Sequence, residues 1–229
     1  MKLGLLFSGG KDSTYAAFLA MKYGHDVVCL ISINSKNKDS YMFHSPSITQ
    51  TQVQADVMDI PLITINTKGI KEIELKDLEK AIKKAKQDFN IKGIITGAVA
   101  SVYQASRIQG ICNNLNLECF NPLWQKDQIE LLEDLIKNKF EVIITGVAAY
   151  PLDKLWLGRR IDSNFIKDVI NLKEKYKINP AGEGGEFESF VLNCPLFKKP
   201  LKITDKKITG EKNNWRMEIK VKWNSEKQE

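Results

Sequence analysis

Apolar residues in the first half of the chain fall into two alternating kinds of stretch. Residues 3–7 form a short apolar run closed by Ser8-Gly9-Gly10, which predicts a strand. Ala16, Ala17, Leu19 and Ala20 then recur at helical spacing over residues 13–23. Residues 27–33 are a continuous run rich in β-branched side chains, the pattern of a strand buried on both faces. The polar segment 34–47 is long for a connection inside a domain, and such loops tend to carry function. Residues 48–58 read as a helix stopped by Pro61, and 62–66 as a strand. Ile70, Ile73, Leu78, Ile82, Ala85 and Phe89 mark one face of a longer helix, and residues 93–96 a strand. Val102, Ala105, Ile108, Cys112 and Leu115 mark one face of a further helix, and residues 117–120 a strand ending at Pro122. Strands alternating with helices of this length predict right-handed crossovers and a parallel sheet.

The second half changes character. A helix over 128–139, a strand over 141–145 and a helix over 163–176 precede three strand-like segments, 187–192, 201–208 and 215–223. Met217, Ile219, Val221 and Trp223 alternate in the last of these, which predicts an antiparallel appendage with its lysines turned outward. The chain therefore divides into residues 1–126 and 127–229. Ile94-Ile95-Thr96-Gly97-Ala98 and Ile143-Ile144-Thr145-Gly146-Val147 are near-copies. They read as two parallel strands that both deliver a Gly loop to the carboxyl edge of the sheet.

Composition narrows the class. With 43% hydrophobic and 27% charged residues among 229, the chain is globular, not disordered. Its four cysteines form no CxxC pair, which argues against a disulfide scaffold or structural zinc and fits a reducing cytoplasm. Residues 1–7 are too short for a signal peptide, and no run approaches the roughly 18 apolar residues of a membrane helix. The net charge of +6 invites a nucleic-acid reading. However, nine lysines and Arg216 face only five acids after residue 197, and the whole chain holds four arginines. Arginine makes most bidentate phosphate and guanine contacts, so the lysines read as solvated faces. Neither a nucleic acid nor a membrane is an expected partner.

Chemistry concentrates in Phe7-Ser8-Gly9-Gly10-Lys11-Asp12-Ser13, between the first strand and the first helix. Two glycines permit a tight turn that presents N–H groups, the helix N-terminus adds its dipole, Lys11 a counter-charge and Ser8 and Ser13 neutral donors. Asp12 orients the turn or holds magnesium through water. A Walker loop is excluded because no glycine stands five positions before Gly10 and Asp12 replaces the hydroxyl residue, and a dinucleotide fingerprint because there is no GxGxxG.

The Ser-Gly-Gly-Lys-Asp-Ser loop resembles that of the PP-loop ATP pyrophosphatases. This implies a Rossmann-like α/β fold of the adenine nucleotide alpha hydrolase type, with helices on both faces of the sheet and a smaller α+β C-terminal domain. Three further segments select within that superfamily: residues 40–46 (Ser-Tyr-Met-Phe-His-Ser-Pro), 97–107 (Gly-Ala-Val-Ala-Ser-Val-Tyr-Gln-Ala-Ser-Arg) and 180–189 (Pro-Ala-Gly-Glu-Gly-Gly-Glu-Phe-Glu-Ser). With Pro122-Leu123-Trp124 they resemble the diphthine–ammonia ligase family in order and over nearly the whole chain. Val99 and Ser189 stand where Ile and Thr are expected, both mild changes. The resemblance implies ATP-dependent activation of the diphthine carboxylate on translation elongation factor 2, followed by displacement of AMP by ammonia. Residues 1–126 become the ATP-binding domain and 127–229 the substrate-binding one.

Under that resemblance Ser8, Gly9, Gly10, Lys11, Asp12 and Ser13 take the pyrophosphate and Mg2+, with Asp12 as the metal residue. Ser32 and Ile33, at the carboxyl end of the second strand, approach the adenine, and Gly97 and Ala98 line the nucleotide. Lys11, Asp12, His44, Glu183 and Glu186 form the catalytic set. Tyr41, His44, Ser101, Gln104, Arg107, Trp124, Glu183, Gly184, Gly185, Glu186 and Glu188 face the substrate. His44 either positions substrate and relays a proton or braces its own loop. Arg107 pairs with a phosphate or substrate carboxylate, or makes a surface ion pair. Glu183 or Glu186 reads the trimethylammonium of diphthine or guides ammonium. Trp124 is counted with the substrate residues, although packing is the commoner use of tryptophan. A tRNA-modifying relative would want a reactive cysteine pair or iron–sulfur site, whereas Cys112 and Cys119 look like core residues. A non-catalytic nucleotide sensor would keep the loop without turnover. Homo-oligomerisation stays open.

Overall fold

The computed structural model describes residues 1–35, 48–70 and 72–223. Five short strands, β1 (Lys2–Leu6), β2 (Asp26–Ser35), β3 (Leu62–Thr67), β4 (Gly93–Ile95) and β5 (Glu118–Phe120), pair in parallel in the order β3-β2-β1-β4-β5. The connecting helices are α1 (Lys11–Lys22), α2 (Thr51–Met58), α3 (Ile73–Phe89) and α4 (Val102–Asn114). Side-chain alternation, re-phased where Val28 is an extra residue opposite Leu3 and Gly4, explains why both faces are covered. Leu3, Leu5, Val27 and Leu30 join a cluster with Tyr15, Ala16 and Ala17 of α1 and Ala55 and Val57 of α2. Cys29, Ile31 and Ile33 turn the other way, onto Leu78, Ile82 and Ala85 of α3 and Ile108 and Cys112 of α4. Ile70 and Ile73 do not belong to that face; each is 50% exposed, because α3 begins only at Ile73.

Strand order reverses between β1 and β4, so the loops that follow these two strands open into one crevice at the carboxyl edge. The phosphate loop follows β1 and Gly97 follows β4.

Beyond this sheet come α5 (Gln128–Lys137), β6 (Glu141–Val147), α6 (Ser163–Tyr176), β7 (Phe187–Asn193), β8 (Lys202–Glu211) and β9 (Asn214–Lys222). Asp127 caps α5 by accepting from the N–H groups of Ile129 and Glu130, and Asp162 caps α6 in the same way through Asn164 and Phe165. The four strands form an antiparallel sheet in the order β7-β6-β9-β8. This corrects the reading of the two near-copies. The first is β4 of the parallel sheet, but the second is β6 of the antiparallel sheet, and Gly146 lies within the strand, not in a loop. The apolar sequence of a buried strand is the same in either kind of sheet, so the pattern could not separate them. Lys220 and Lys222 of β9 are exposed as the alternation there predicts, and Lys202, Lys206 and Lys207 are exposed because both faces of β8 are open to solvent. One apolar cluster runs from Leu3 and Leu5 through Tyr15 to Ile144, Phe190 and Met217, so the two sheets share a core.

Candidate active site

The phosphate loop is shaped by its own hydroxyls. Thr14 Oγ1 and Ser13 Oγ donate to the Gly10 carbonyl at 2.8 and 3.3 Å, and Ser8 Oγ lies 3.1 Å from Ser13 Oγ. Gly9 sits at φ +78°, which side chains rarely adopt. Its carbonyl accepts from Val191 N at 3.0 Å and from Gln54 Nε2 at 3.0 Å, and the same amide of Gln54 donates to Val191 O at 2.8 Å. Gln54 therefore ties the loop to β7. Gly10 stands at the N-cap of α1 and brings no side chain to cap the turn. The hydroxyl of Ser189, 178 residues away, accepts from Lys11 N at 3.1 Å.

Lys11 is buried, 3% exposed, with its ammonium 3.0 and 2.7 Å from the two Asp12 oxygens. Burial opposes its charge, but Asp12, Glu183 and Glu188 outweigh that and raise its pKa above 10.5. It remains a cation at any working pH.

A cavity of about 630 Å³ opens over this loop, within the usual range for small-ligand sites. Leu6, Ile31, Ile33, Ile48 and Ile108 make an apolar wall, and Gly97 and Ala98 adjoin it. Glu183, Gly184, Gly185, Glu188 and Ser189 come over from the second sheet, with Arg216. Most of the expected residues thus meet: Ser8, Gly10, Lys11, Asp12, Ser13, Ile33, Gly97, Ala98, Ser101, Gln104, Glu183, Gly184, Gly185 and Glu188 all line the cavity.

Others are placed elsewhere. Ser32 points to the opposite side of β2 from Ile31 and Ile33 and donates to the Phe7 carbonyl at 2.6 Å, holding the end of β1. Glu186 does not line the cavity. Its Oε1 accepts from Asn179 N and Asn179 Nδ2, both at 2.8 Å, and its Oε2 from Gly184 N at 2.8 Å. This carboxylate braces the loop that presents Glu183. Arg107 pairs with Glu72 at 2.9 Å on the surface, where Tyr103 donates to the same oxygen. Trp124 is 37% exposed and away from the cavity lining. Tyr41 and His44 lie outside the described residues.

Sequence reasoning passed over several contributors, among them Ile31, Gln54 and Arg216. Ile31 carries a signal, since it shares a strand face with Ile33. Gln54 carries none, because only the fold shows that its amide is fully buried. Arg216 carries none, because only strand register brings it here.

Glu183 and Glu188 are the site's unusual acids. Burial, with help from Asp12 and against Lys11, pushes Glu183 up to about 7. Burial does the same for Glu188, to about 7, although Lys11 and Arg216 oppose it. A glutamate in the unfolded chain ionises near 4.5, so between about pH 4.5 and 7 the folded state keeps protons that the unfolded state has released. Stability from these groups is complete below that window and lost as pH rises through it. Urea titrations of ligand-free protein are expected to show wild type losing stability from pH 5 to 7.5 relative to the E183Q/E188Q double variant. Parallel curves would mean that the two acids ionise as they do in water.

The model of the Diphthamide synthase N-terminal domain matches residues 1–119, and that of the Diphthamide synthase C-terminal domain matches residues 127–225. The chain is 34% identical over 227 residues to the diphthine–ammonia ligase of Bos taurus, covering 91% of this chain and 85% of that protein. The ligase of Homo sapiens gives 33% over 227 residues with the same coverage. The ligase of Schizosaccharomyces pombe is 32% identical over 238 residues, which are 97% of this chain but only 39% of that longer protein. With both halves matched in order, the chain belongs to the diphthamide synthase family.

Proposed function

We propose that this protein is the ATP-dependent ligase that amidates the carboxylate of diphthine on translation elongation factor 2, the last step of diphthamide formation. A carboxylate oxygen attacks the α-phosphorus of ATP, the bond to the β-phosphate breaks, and pyrophosphate leaves. Ammonia, formed from ammonium by loss of a proton, then attacks the acyl carbon, and the acyl–oxygen bond breaks to release AMP. The observation that carries this reading is the hydrogen bond from Lys11 N to Ser189 Oγ. It closes the phosphate loop against the Gly-Glu-Gly-Gly-Glu-Phe-Glu segment, so the two most specific motifs share one cavity.

In this reading Lys11, Ser8, Ser13 and the first-turn N–H groups of α1 hold the departing pyrophosphate. The apolar wall with Gly97 and Ala98 takes the nucleoside. Glu183 guides ammonium, while Glu186 keeps the loop in shape. The donor chemistry at Asp12 also fits magnesium: a partly exposed carboxylate that lines the cavity together with the residues Ser8 and Ser13. Among the described residues no group of three or more His, Cys, Asp or Glu side chains is arranged to hold a metal alone, so phosphate oxygens would complete the shell. Bound there, magnesium offsets charge on the leaving group.

The arginines support a protein substrate over a nucleic acid. Arg107, Arg159 and Arg160 are ion-paired with Glu72, Asp168 and Glu141, and Arg216 lines the cavity, so they form no basic stripe. The division at residues 126 and 127 into an ATP unit and a substrate unit belongs to the same proposal, as does a cytoplasmic site of action. No helix among the described residues is long and apolar enough to cross a membrane.

The test is direct. Purified protein incubated with diphthine-bearing elongation factor 2, ATP and ammonium should release AMP and pyrophosphate in equal amounts and convert the acid to the amide, read by mass spectrometry of the modified peptide. A requirement for tRNA in place of the factor would overturn the reading.

A further inference from the structure

Two donors fix the Gly9 carbonyl, and the direction of the next amide follows from that. The carbonyl accepts from Val191 N and from Gln54 Nε2, each at 3.0 Å. A peptide unit is planar and trans, so its N–H points opposite to its C=O. The Gly10 N–H is therefore turned away from Val191 and Gln54. Its partner on that far side is the Ser8 hydroxyl at 3.4 Å, longer than an ordinary N–H···O bond, and Ser8 and Gly10 both line the cavity. Of the neighbouring N–H groups, Lys11 N donates to Ser189 Oγ at 3.1 Å and Ser8 N to Ser13 Oγ at 3.3 Å. The Gly10 N–H makes the longest of these three bonds and gives it up most readily to an anion.

Gln54 reaches the Gly9 carbonyl from α2 and does not itself line the cavity. Its side chain is fully buried, and Nε2 donates a second bond to Val191 O at 2.8 Å. Its Oε1 is buried and accepts from no group among the described residues. That oxygen lies against Gly9, where a Cβ would run into it. A buried acceptor left without a partner costs stability, and an apolar side chain of similar size would avoid the cost. Packing alone therefore does not account for an amide here. What the amide adds is one nitrogen that spans two carbonyls, one in the phosphate loop and one in β7. Donors on a carbonyl also polarise its peptide, which strengthens the N–H at the other end as a donor.

Resting on the functional reading above, in which this loop holds pyrophosphate, we propose that Gln54 is a positioning residue for that group. By fixing the Gly9 carbonyl it aims the Gly10 N–H at a phosphate oxygen. The nucleoside, seated against the apolar wall, lies outside its influence. Gln54 thus acts through the backbone of the loop and touches no ligand.

Isothermal titration calorimetry of the full chain tests this, with inorganic pyrophosphate plus Mg2+ and AMP as separate probes. Q54M keeps the bulk of the side chain and removes both N–H groups. It is expected to raise Kd for pyrophosphate at least about fivefold, the order set by misaiming one hydrogen bond to a charged group. Kd for AMP should stay within about twofold of wild type. A merely structural role would not produce that split, because a loosened fold weakens both probes alike. Equal weakening of the two therefore overturns the proposal, and so does an unchanged Kd for pyrophosphate. In 15N-labelled protein the Gly10 amide resonance should move on adding pyrophosphate, and by less in Q54M; an equal shift in both proteins would also overturn it. Should Q54M fail to fold by circular dichroism, Q54N takes its place with the same expected split, since it keeps a polar amide but is one methylene too short to span both carbonyls. Wild-type protein separates the two failures. A wild type that binds neither probe sinks the functional reading as well, whereas a wild type that binds both, with an unaltered Q54M, sinks the Gln54 assignment alone.

Discussion

Lys11→Met is expected to abolish ligation for practical purposes, lowering single-turnover pyrophosphate release by at least about 10³-fold. Removing one preorganised donor from a charged transition state ordinarily costs about 10²–10³ in rate. Here the loss is compounded, because the lysine also neutralises its own surroundings. Its ammonium bonds both Asp12 oxygens, and Glu183 and Glu188 feel its charge. Methionine preserves the apolar stem and deletes the charge, leaving three carboxyl groups without their shared partner. Breaking a fully buried pair costs about 3–5 kcal/mol; Asp12 is partly exposed and regains water, so K11M should melt earlier by less than that. The penalty should be smaller at pH 5, where Glu183 and Glu188 are protonated, than at pH 8. K11R, which keeps the charge but cannot keep the geometry, should retain folding better than activity. Pyrophosphate release by K11M within tenfold of wild type would refute the role given to this side chain.

Gly97→Ala should cost about 10²-fold in kcat/KM for ATP through sterics alone. A Cβ built on Gly97 would lie 2.7 Å from Ser13 N and 2.8 Å from Asp12 C, both backbone atoms of the first turn of α1. Backbone cannot swing aside as a flexible side chain can, so the turn must shift bodily. A displacement of about 1 Å in a positioned site is enough for such a loss. The stability penalty should be only about 1–3 kcal/mol, typical of overpacking. Gly110→Ala is the control: it lies on an exposed face within α4 with nothing within 4 Å of its would-be Cβ. That change should leave activity untouched and stabilise the helix by about 0.5–1 kcal/mol. Equal ATP kinetics for G97A and wild type would show that the two loops do not constrain one another.

What the sequence revealed, and what it hid, divides along physical lines. Among the described residues the apolar pattern located the strands and α-helices because the burial pattern of most of them is local, but it missed the short 3-10 helix Lys154–Trp156. Residues 94–98 and 143–147 show where it fails, since nothing in an apolar strand states whether its neighbours run parallel or antiparallel. The phosphate loop was readable because its chemistry lies within six consecutive residues and a strand and helix flank it. Glu186 and Glu183 were indistinguishable in sequence. Only the amide groups of Asn179 and Gly184 around one of them reveal a brace, and the open cavity beside the other a binding group. Ser32 and Ile33 were separable in principle, because adjacent strand residues face opposite ways. Arg107 had two readings, and Glu72, from a distant helix start, supplies the partner that the sequence could not name.

The shared core has a consequence for how the protein substrate proposed above would be met. Leu3 and Phe190, on different sheets, belong to one apolar cluster, and the Gly9 carbonyl is clasped by Val191 and Gln54. Parting the sheets like jaws would expose that cluster to water and tear the clasp, so the two halves travel as one rigid block. On the function proposed above, the modified side chain would have to be extended toward a fixed socket by its own protein, and a side chain too short to span from that protein's surface to the phosphate loop would be excluded by length before its chemistry was read.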